Sequence, residues 1–239
     1  MSWNEVLLAV EARLKPEDWK TFTRLHRNFV GYASEGTLSR FYGFVFSHGL
    51  HLELNGFRFR RLESILAALA SRPASAGARV LEVGAGAGIL AAAAVKLLAP
   101  REYVTHDLCA GARDHLQAEG FAVLPHPAPP GPAGGPFDLI VCADSLGEIH
   151  SDDDGYLRDP ANHAAPEFAD ALEERYGFAH KLSIWKPYLA ASGNLLLWEP
   201  FTHAAVWERL ARYLGETGWA ARPVPAASGT APYLELSLP

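Results

Sequence analysis

The chain has 239 residues, of which 49% are hydrophobic, and its formal net charge at pH 7 is −6. That length can bury a sizeable core, as one domain or as one domain with an appendage, whereas the acidic balance argues against a dedicated nucleic-acid binder with a basic surface. No apolar run reaches the roughly 18 residues of a membrane span and the N-terminus lacks a signal-peptide pattern, so we expect a cytoplasmic protein with no nucleic-acid and no membrane partner. Its two cysteines, Cys109 and Cys142, are expected to be buried free thiols.

Residues 1–73 are predicted to form a helical segment. Ser2 and Glu5 form a capping box that opens a helix, and Pro16 followed by two acids opens a second one. We expect one face of the second helix to be packed, because its apolar residues recur at three- and four-residue spacing. These residues are Trp19, Phe22, Leu25 and Phe29.

Apolar and polar residues alternate over residues 50–60 on both sides of Asn55-Gly56. This pattern predicts a two-residue β-hairpin with a type I′ turn. Because an isolated hairpin is marginally stable in water, we expect it to dock on the main domain or on a second subunit. A helix from Leu62 to Ala70 is predicted to follow and to end before Pro73.

Residues 79–99 predict a buried strand, a glycine turn and an Ala-rich helix. The turn has glycine at every second position, Gly84, Gly86 and Gly88, which removes Cβ atoms where the backbone turns tightly and lies close to a ligand. Glu82 stands just before the turn, at the carboxyl end of the strand, where ligands of open α/β sheets collect.

Strand and helix alternate through the rest of the chain, which predicts an α/β fold with a doubly wound, mostly parallel sheet of seven strands. Residues 126–136 are rich in proline and glycine and cannot hold a helix, so we expect a loop between the third and fourth strands. The last two strands are expected to pair antiparallel. The predicted strands comprise residues 79–83, 102–106, 121–124, 137–143, 194–198, 221–225 and 233–238.

The glycine spacing separates two kinds of cofactor. A dinucleotide site has Gly-x-Gly-x-x-Gly with an acid roughly 20 residues later, whereas here the spacing is Gly-x-Gly-x-Gly and Glu82 precedes the first glycine. The pattern from Glu82 to Gly88 resembles motif I of the class I S-adenosylmethionine-dependent methyltransferases. The resemblance extends over residues 78–239, is specific at motif I and is looser elsewhere. It implies S-adenosylmethionine as the cofactor, whose cationic sulfonium and ammonium groups suit an acid beside the loop.

The resemblance also implies which residues bind the cofactor. Asp107, at the end of the second strand, would accept hydrogen bonds from both ribose hydroxyls; from the residues alone, a helix N-cap is the alternative. The acid that often meets the adenine amino group after the third strand is absent, so backbone groups or His126 must close that pocket. The expected cofactor-binding set is Glu82, Gly84, Gly86, Gly88, Asp107, Leu108, Ala143 and Asp144.

Residues 149–153 look like a degraded version of the segment Leu-His-Asp-Trp-Ser-Asp of small-molecule O-methyltransferases, in which the histidine is the general base. The resemblance implies His150 as the catalytic base, since a histidine pKa lies near the operating pH, with Glu148 as a second candidate. A helix cap or a metal site are alternatives here, but the sequence offers no partner motif for a metal and none is predicted. Insertions before strand five commonly form the substrate wall, with His163, Tyr176, His180 and Trp185 as candidates.

The sequence therefore predicts a class I methyltransferase that acts on a small-molecule acceptor, most simply at oxygen. Residues 74–239 would form the cofactor-binding domain, and residues 1–73 would cap the active site or build a homodimer. Three rivals remain: a protein or N-methyltransferase on the same fold, a non-catalytic cofactor-binding scaffold subunit, and a nicotinamide-dependent oxidoreductase. An Asn/Asp-Pro-Pro-Tyr-type tetrad after strand four would favour amino-group methylation, but residues 143–146 read Ala-Asp-Ser-Leu.

Overall fold

The structure is a computed structural model, and it describes residues 3–31, 35–55, 59–72, 77–131, 135–143, 171, 174, 177–199, 204–225 and 232–239. Its α-helices are α1 (Trp3–Arg13), α2 (Pro16–Gly31), α3 (Glu35–Ser47), α4 (His51–Asn55), α5 (Phe59–Ala70), α6 (Ile89–Leu98), α7 (Ala110–Ala118), α8 (Phe178–Ser183) and α9 (Ala204–Glu216). A 3₁₀ helix spans Lys186–Tyr188. The strands are β1 (Arg79–Val83), β2 (Glu102–His106), β3 (Ala122–Leu124), β4 (Phe137–Ala143), β5 (Leu189–Trp198), β6 (Ala220–Val224) and β7 (Tyr233–Ser237).

The strands form one seven-stranded sheet in the order β3-β2-β1-β4-β5-β7-β6. The first five in this order pair in parallel, whereas β7 pairs antiparallel with both β5 and β6. This confirms the predicted α/β fold with its antiparallel C-terminal pair. The predicted strand bounds hold within one residue except in β5, which begins earlier, at Leu189. There it pairs with Phe137 of β4, and the register shifts between Phe137 and Leu139.

Alternate residues of the parallel strands face two apolar layers, as expected for a sheet covered on both sides. In β1, Val80 belongs to the layer under α5 and α6, whereas Leu81 belongs to the layer under α8 and α9. Each layer contains a fully buried tryptophan, Trp198 of β5 in the first and Trp207 of α9 in the second. Helices thus cover both faces of the sheet, and the loops that could bind a ligand lie at its carboxyl edge.

The N-terminal helices have an apolar core of their own. The ring of Phe22 in α2 stacks on Trp19 with the centroids 5.5 Å apart, and an ion pair between Arg13 and Glu53 ties α1 to α4. All four residues of the predicted aromatic face of α2 pack in or against this core, which confirms that prediction. The buried members of the core are Val6, Val10, Phe22, Phe41, Val45, Leu50 and Leu54.

The predicted β-hairpin at residues 50–60 is wrong, because this stretch contributes to helices α4 and α5. The alternating pattern suggested a strand, but apolar residues at every second position also include pairs that are four residues apart, which is the spacing along one face of a helix. Leu50 and Leu54 form such a pair and are 0% and 6% exposed, whereas Leu52 between them is 53% exposed. One buried stripe of a helix therefore explains the pattern.

Helix α3 packs against α7, the helix that follows β2, while α5 packs against α6. The two helices pack tightly at a pair of glycines, where a Cβ on Gly111 would lie 3.3 Å from the Cα of Gly43. Because α7 begins directly after the carboxyl end of β2, this contact brings the N-terminal helices to the edge of the sheet where ligands collect.

The proline-rich connection between β3 and β4 contains no helix in its described residues, 125–131 and 135–136, as predicted. Its chain folds back on the sheet instead. Ala128 packs against the apolar layer under α8 and α9, and the hydroxyl of Tyr188 donates to the carbonyl of Pro129. Cys109 and Cys142 are buried and unbridged, as expected. Among the described helices, none is long and apolar enough to cross a membrane.

The Gly43–Gly111 contact can be tested by its effect on stability. Gly111→Leu should lower the free energy of unfolding by about 1–3 kcal/mol, because the new side chain overpacks the α3–α7 contact although leucine is a good helix former. Gly215→Leu in α9 is the matched control, since nothing lies within 4 Å of a Cβ there. Urea denaturation of both variants measures the difference, and equal stabilities of the two variants would contradict the close packing of α3 on α7 at Gly111.

Candidate active site

The carboxyl edge of the sheet is dominated by the loop between β1 and α6. All three glycines predicted for this turn have positive φ angles, 75° at Gly84, 54° at Gly86 and 70° at Gly88, a region that L-residues with side chains rarely occupy. A Cβ on Gly88 would lie 2.8 Å from Leu116, whereas a Cβ on Gly86 would meet nothing within 4 Å. The glycine at 88 is therefore required by packing inside the protein, and the one at 86 borders open space.

Three N–H groups of the loop are bound within the protein. The carbonyl of His106 accepts hydrogen bonds from the N–H groups of Gly84 at 2.8 Å and Ala85 at 3.1 Å, and the N–H of Gly88 donates to the carbonyl of Ala85 at 2.8 Å. A pyrophosphate needs N–H groups directed at it, and these three donors are not available for that role.

Asp107 connects the loop to the start of α7. Its Oδ2 accepts from the N–H of Gly86 at 2.8 Å, and its Oδ1 accepts from the N–H of Cys109 at 2.8 Å. The N-cap of α7 is Cys109, so Asp107 is not the helix N-cap that was its alternative role. Burial raises the pKa of the Asp107 carboxyl, although these two hydrogen bonds oppose the shift. Each carboxylate oxygen keeps a second lone pair that a ligand hydroxyl can use.

Glu82 is the second buried acid at this edge, with 4% of its surface exposed. Its Oε2 accepts a hydrogen bond from the hydroxyl of Tyr103 on β2 at 2.9 Å. Burial raises the pKa of the Glu82 carboxyl to about 8, the Tyr103 hydrogen bond lowers it, and the nearby charge of Asp107 raises it. Sequence reasoning missed Tyr103, because only the parallel register of β1 and β2 brings it beside the motif acid.

His106 is a further buried ionisable residue that the sequence did not single out. Its ring meets Trp185 edge-on with the centroids 5.0 Å apart and lies 5.6 Å from the ring of His126. Neither ring nitrogen of His106 has a hydrogen-bond partner among the described residues. Burial lowers the pKa of His106 to about 4, helped by the neighbouring His126 and Arg113. Trp185 is thus packed beneath this edge, in the buried core, rather than free to line a substrate wall.

The N-terminal helices reach the site at the start of α7. Leu108 packs, partly buried, against the cluster formed by Leu38, Cys109 and Ala112. Phe29 of α2 and Tyr42 of α3 pack against the same cluster. The guanidinium of Arg113 in α7 donates to the carbonyls of Asp107 and Leu108, both at 2.8 Å. Leu108, one of the predicted cofactor-binding residues, is thus held between α7 and the N-terminal segment.

The remaining predicted site residues are only partly covered by the structure. Ala143 ends β4, half-buried, next to Trp198 at the end of β5. Five predicted site residues lie outside the described residues, namely Asp144, Glu148, His150, His163 and Tyr176. Among the residues that are described, no three His, Cys, Asp or Glu side chains are grouped as a metal site would require.

The edge has the chemistry of a site for a cationic, sugar-bearing ligand. Two buried carboxyl groups, Glu82 and Asp107, flank a loop whose Gly86 borders open space. Buried carboxylates favour positive charge and repel phosphate. S-adenosylmethionine has a cationic sulfonium, an ammonium group and two ribose hydroxyls, so the residues present fit this cofactor. Glu82, Gly86 and Asp107 are the residues that would hold it.

The sheet order, the strand–glycine turn–helix unit and the acid after β2 together define the class I methyltransferase fold. Residues 54–178, just over half of the chain, match the family described as a methyltransferase domain. The chain belongs to this family, and its cofactor is S-adenosylmethionine.

Solved structures with the same fold share little sequence with the chain. The mitomycin 7-O-methyltransferase is 15% identical, with a TM-score of 0.52 over 93% of this chain and 67% of that one. The CurJ carbon methyltransferase is 17% identical, with a TM-score of 0.48 over 95% and 72%. The magnesium protoporphyrin IX methyltransferase from Synechocystis is 12% identical, with a TM-score of 0.47 over 90% of each chain. No match was found among curated proteins.

His106 makes the site edge sensitive to acid. Its folded-state pKa of about 4 lies below its ordinary value of 6.5, so the unfolded chain takes up the proton first as the pH falls. The contribution of His106 to the free energy of unfolding should therefore decrease from about pH 6.5 to about pH 4, by up to about 3 kcal/mol, whereas the raised pKa of Glu82 acts in the opposite direction over the same range. Urea denaturation of the wild type and of a variant without the His106 imidazole isolates this contribution.

His106→Phe should reduce this loss, because the ring remains but the titratable group does not. His180→Gln, at an exposed histidine of α8, is the control and should leave the pH dependence unchanged. If the wild type and His106→Phe lose stability in parallel, His106 does not titrate as described.

Proposed function

We propose that the protein methylates a small molecule, most simply at an oxygen atom, with S-adenosylmethionine as the methyl donor. The observation that carries this proposal is the pair of buried acids, Glu82 and Asp107, on either side of a glycine loop that borders open space at Gly86. Such an arrangement favours a cationic ligand with hydroxyl groups over a phosphate-bearing one. Among structures with this fold, the one with a TM-score of 0.52 is a mitomycin 7-O-methyltransferase, which supports a small-molecule acceptor.

The cofactor-binding roles are divided between the two acids. Asp107 accepts the ribose hydroxyls with the lone pairs that its backbone hydrogen bonds leave available. Glu82 faces the cationic part of the cofactor. Leu108 forms the apolar floor for the adenine, His126 closes the pocket where the usual acid is missing, and Ala143 and Asp144 border the methionine end.

When bound, S-adenosylmethionine supplies a methyl group that an acceptor lone pair can displace from sulfur. The chain's part is to align the acceptor and to take its proton. His150 removes the hydroxyl proton of the acceptor, with Glu148 as the second candidate for this role. Both follow β4, whose carboxyl end adjoins β1 and therefore the glycine loop. Alignment of the two reactants supplies much of the rate even without a strong base.

We also propose that residues 1–73 cap the acceptor side of the site, or build a homodimer there. The support is the contact of α3 with α7, together with the aromatic residues of α2 and α3 that pack beside Leu108. Aromatic side chains at this position suit a flat or apolar acceptor. The acceptor would then lie between the N-terminal helices and the segment that follows β4.

Calorimetric titration with S-adenosylhomocysteine, with NAD run beside it, tests the cofactor site. We expect micromolar binding of S-adenosylhomocysteine alone. Asp107→Ala should weaken it by about 1.5–3 kcal/mol, the range for a hydrogen bond to a charged group. Asp138→Ala is the matched control, because Asp138 also accepts a backbone N–H, from Arg79 at 2.8 Å, but at the opposite edge of the sheet. Binding of neither ligand by the wild type would favour the scaffold alternative.

The base is tested separately by His150→Ala. We expect turnover to fall by about 10²–10⁴-fold, the usual contribution of a general base, with unchanged affinity for S-adenosylhomocysteine. Turnover is measured with a panel of small hydroxylated acceptors, and Glu148→Gln is compared in the same assay. Full activity of His150→Ala at every pH would remove this residue as the base while leaving the cofactor site intact.

A further inference from the structure

Tyr103 is buried in the interior of the sheet, yet its hydroxyl is directed at an ionisable group. Its ring belongs to the apolar layer under α5 and α6, with 8% of the residue exposed. The hydroxyl donates to Oε2 of Glu82 at 2.9 Å. A buried tyrosine hydroxyl needs a hydrogen-bond partner, but a backbone carbonyl would serve that need without placing a second ionisable group in the core.

The charge state of Glu82 depends on what surrounds it. Burial disfavours the carboxylate, the charge of Asp107 disfavours it further, and the Tyr103 hydroxyl is the group that favours it. With its pKa raised to about 8, Glu82 holds its proton near neutral pH while the site has no cation. A cationic amino group beside Glu82 favours loss of that proton to solvent, after which the carboxylate and the ammonium form an ion pair.

We propose that Tyr103 is a positioning residue for cofactor binding: its hydroxyl fixes the orientation of the Glu82 carboxyl and stabilises the carboxylate that receives the cationic amino group of S-adenosylmethionine. This inference rests on the proposed function, because it requires Glu82 to face the cofactor. Its consequence is that binding is coupled to proton release. One O–H bond of Glu82 breaks, the proton passes to the buffer, and Tyr103 remains protonated throughout.

The number of protons released is measured by calorimetry of S-adenosylhomocysteine binding to the full chain, in buffers of different ionisation enthalpy. The wild type should release close to one proton below about pH 8 and none well above it. Tyr103→Phe should bind about tenfold more weakly near pH 7, and its proton release should persist to higher pH. Glu82→Gln should bind with no such release.

Two further variants control for a merely structural effect. Tyr188→Phe removes another buried hydroxyl, one that donates to Pro129 away from the site, and should match the wild type. Fluorotyrosine at position 103 keeps the fold and is a stronger donor, so it should move the release profile to lower pH. If Tyr103→Phe does not fold, the fluorotyrosine variant still tests whether the Tyr103 hydroxyl affects proton release.

The outcomes separate this inference from the proposed function. If Glu82→Gln loses the release but both Tyr103 replacements behave as the wild type, the positioning role of Tyr103 is overturned and the role of Glu82 stands. If Glu82→Gln binds like the wild type with the same release, Glu82 does not face the cofactor and this inference fails, whereas the proposed function keeps its support because S-adenosylhomocysteine still binds. A shift of the release profile at Tyr103 with normal Tyr188→Phe supports the inference.

Discussion

The Asp107 carboxyl group is the point at which three parts of the structure meet. It accepts one backbone N–H from the glycine loop, at Gly86, and another from Cys109 ahead of α7. The loop is fixed relative to β2, and α7 is fixed relative to the loop. Because α3 packs on α7 through Gly43 and Gly111, the same carboxyl group indirectly sets the position of the N-terminal helices over the sheet edge.

The same part of the structure buries the carboxyl groups of Glu82 and Asp107, and this burial does not stabilise the free protein. Burial raises the pKa values of Glu82 and Asp107, which means that the protein surroundings alone disfavour both carboxylates. A cation bound beside them would reverse that preference, since an opposite charge favours the ionised form. Stability is therefore given up in the free protein and recovered on binding, as is common for sites that evolved for function rather than for stability.

On the face of the sheet under α8 and α9, the described residues between β3 and β4 contain no helix. The proline-rich connection cannot cover the sheet as a helix would, so residues far along the chain take its place: Trp185 packs on His106, and Tyr188 binds the carbonyl of Pro129. Both belong to the segment between α8 and β5. This face of the sheet is thus covered by chain from a distant part of the sequence, the segment that leads into β5.

The sequence predicted the features that depend on residues close together in the chain, and it missed those that depend on residues far apart in the chain. The strands, the glycine turn and the place of Asp107 directly after β2 were predictable because each depends on residues that are neighbours in the chain. The α4 helix was not, because Leu50 and Leu54 fit two periods equally well and only the shared core with Phe22 decides between them. Tyr103 was not, because its role depends on the register of β2 against β1. A motif in the sequence thus identifies an acid such as Glu82, whereas the hydroxyl that donates a hydrogen bond to that acid is determined by the packing of the sheet.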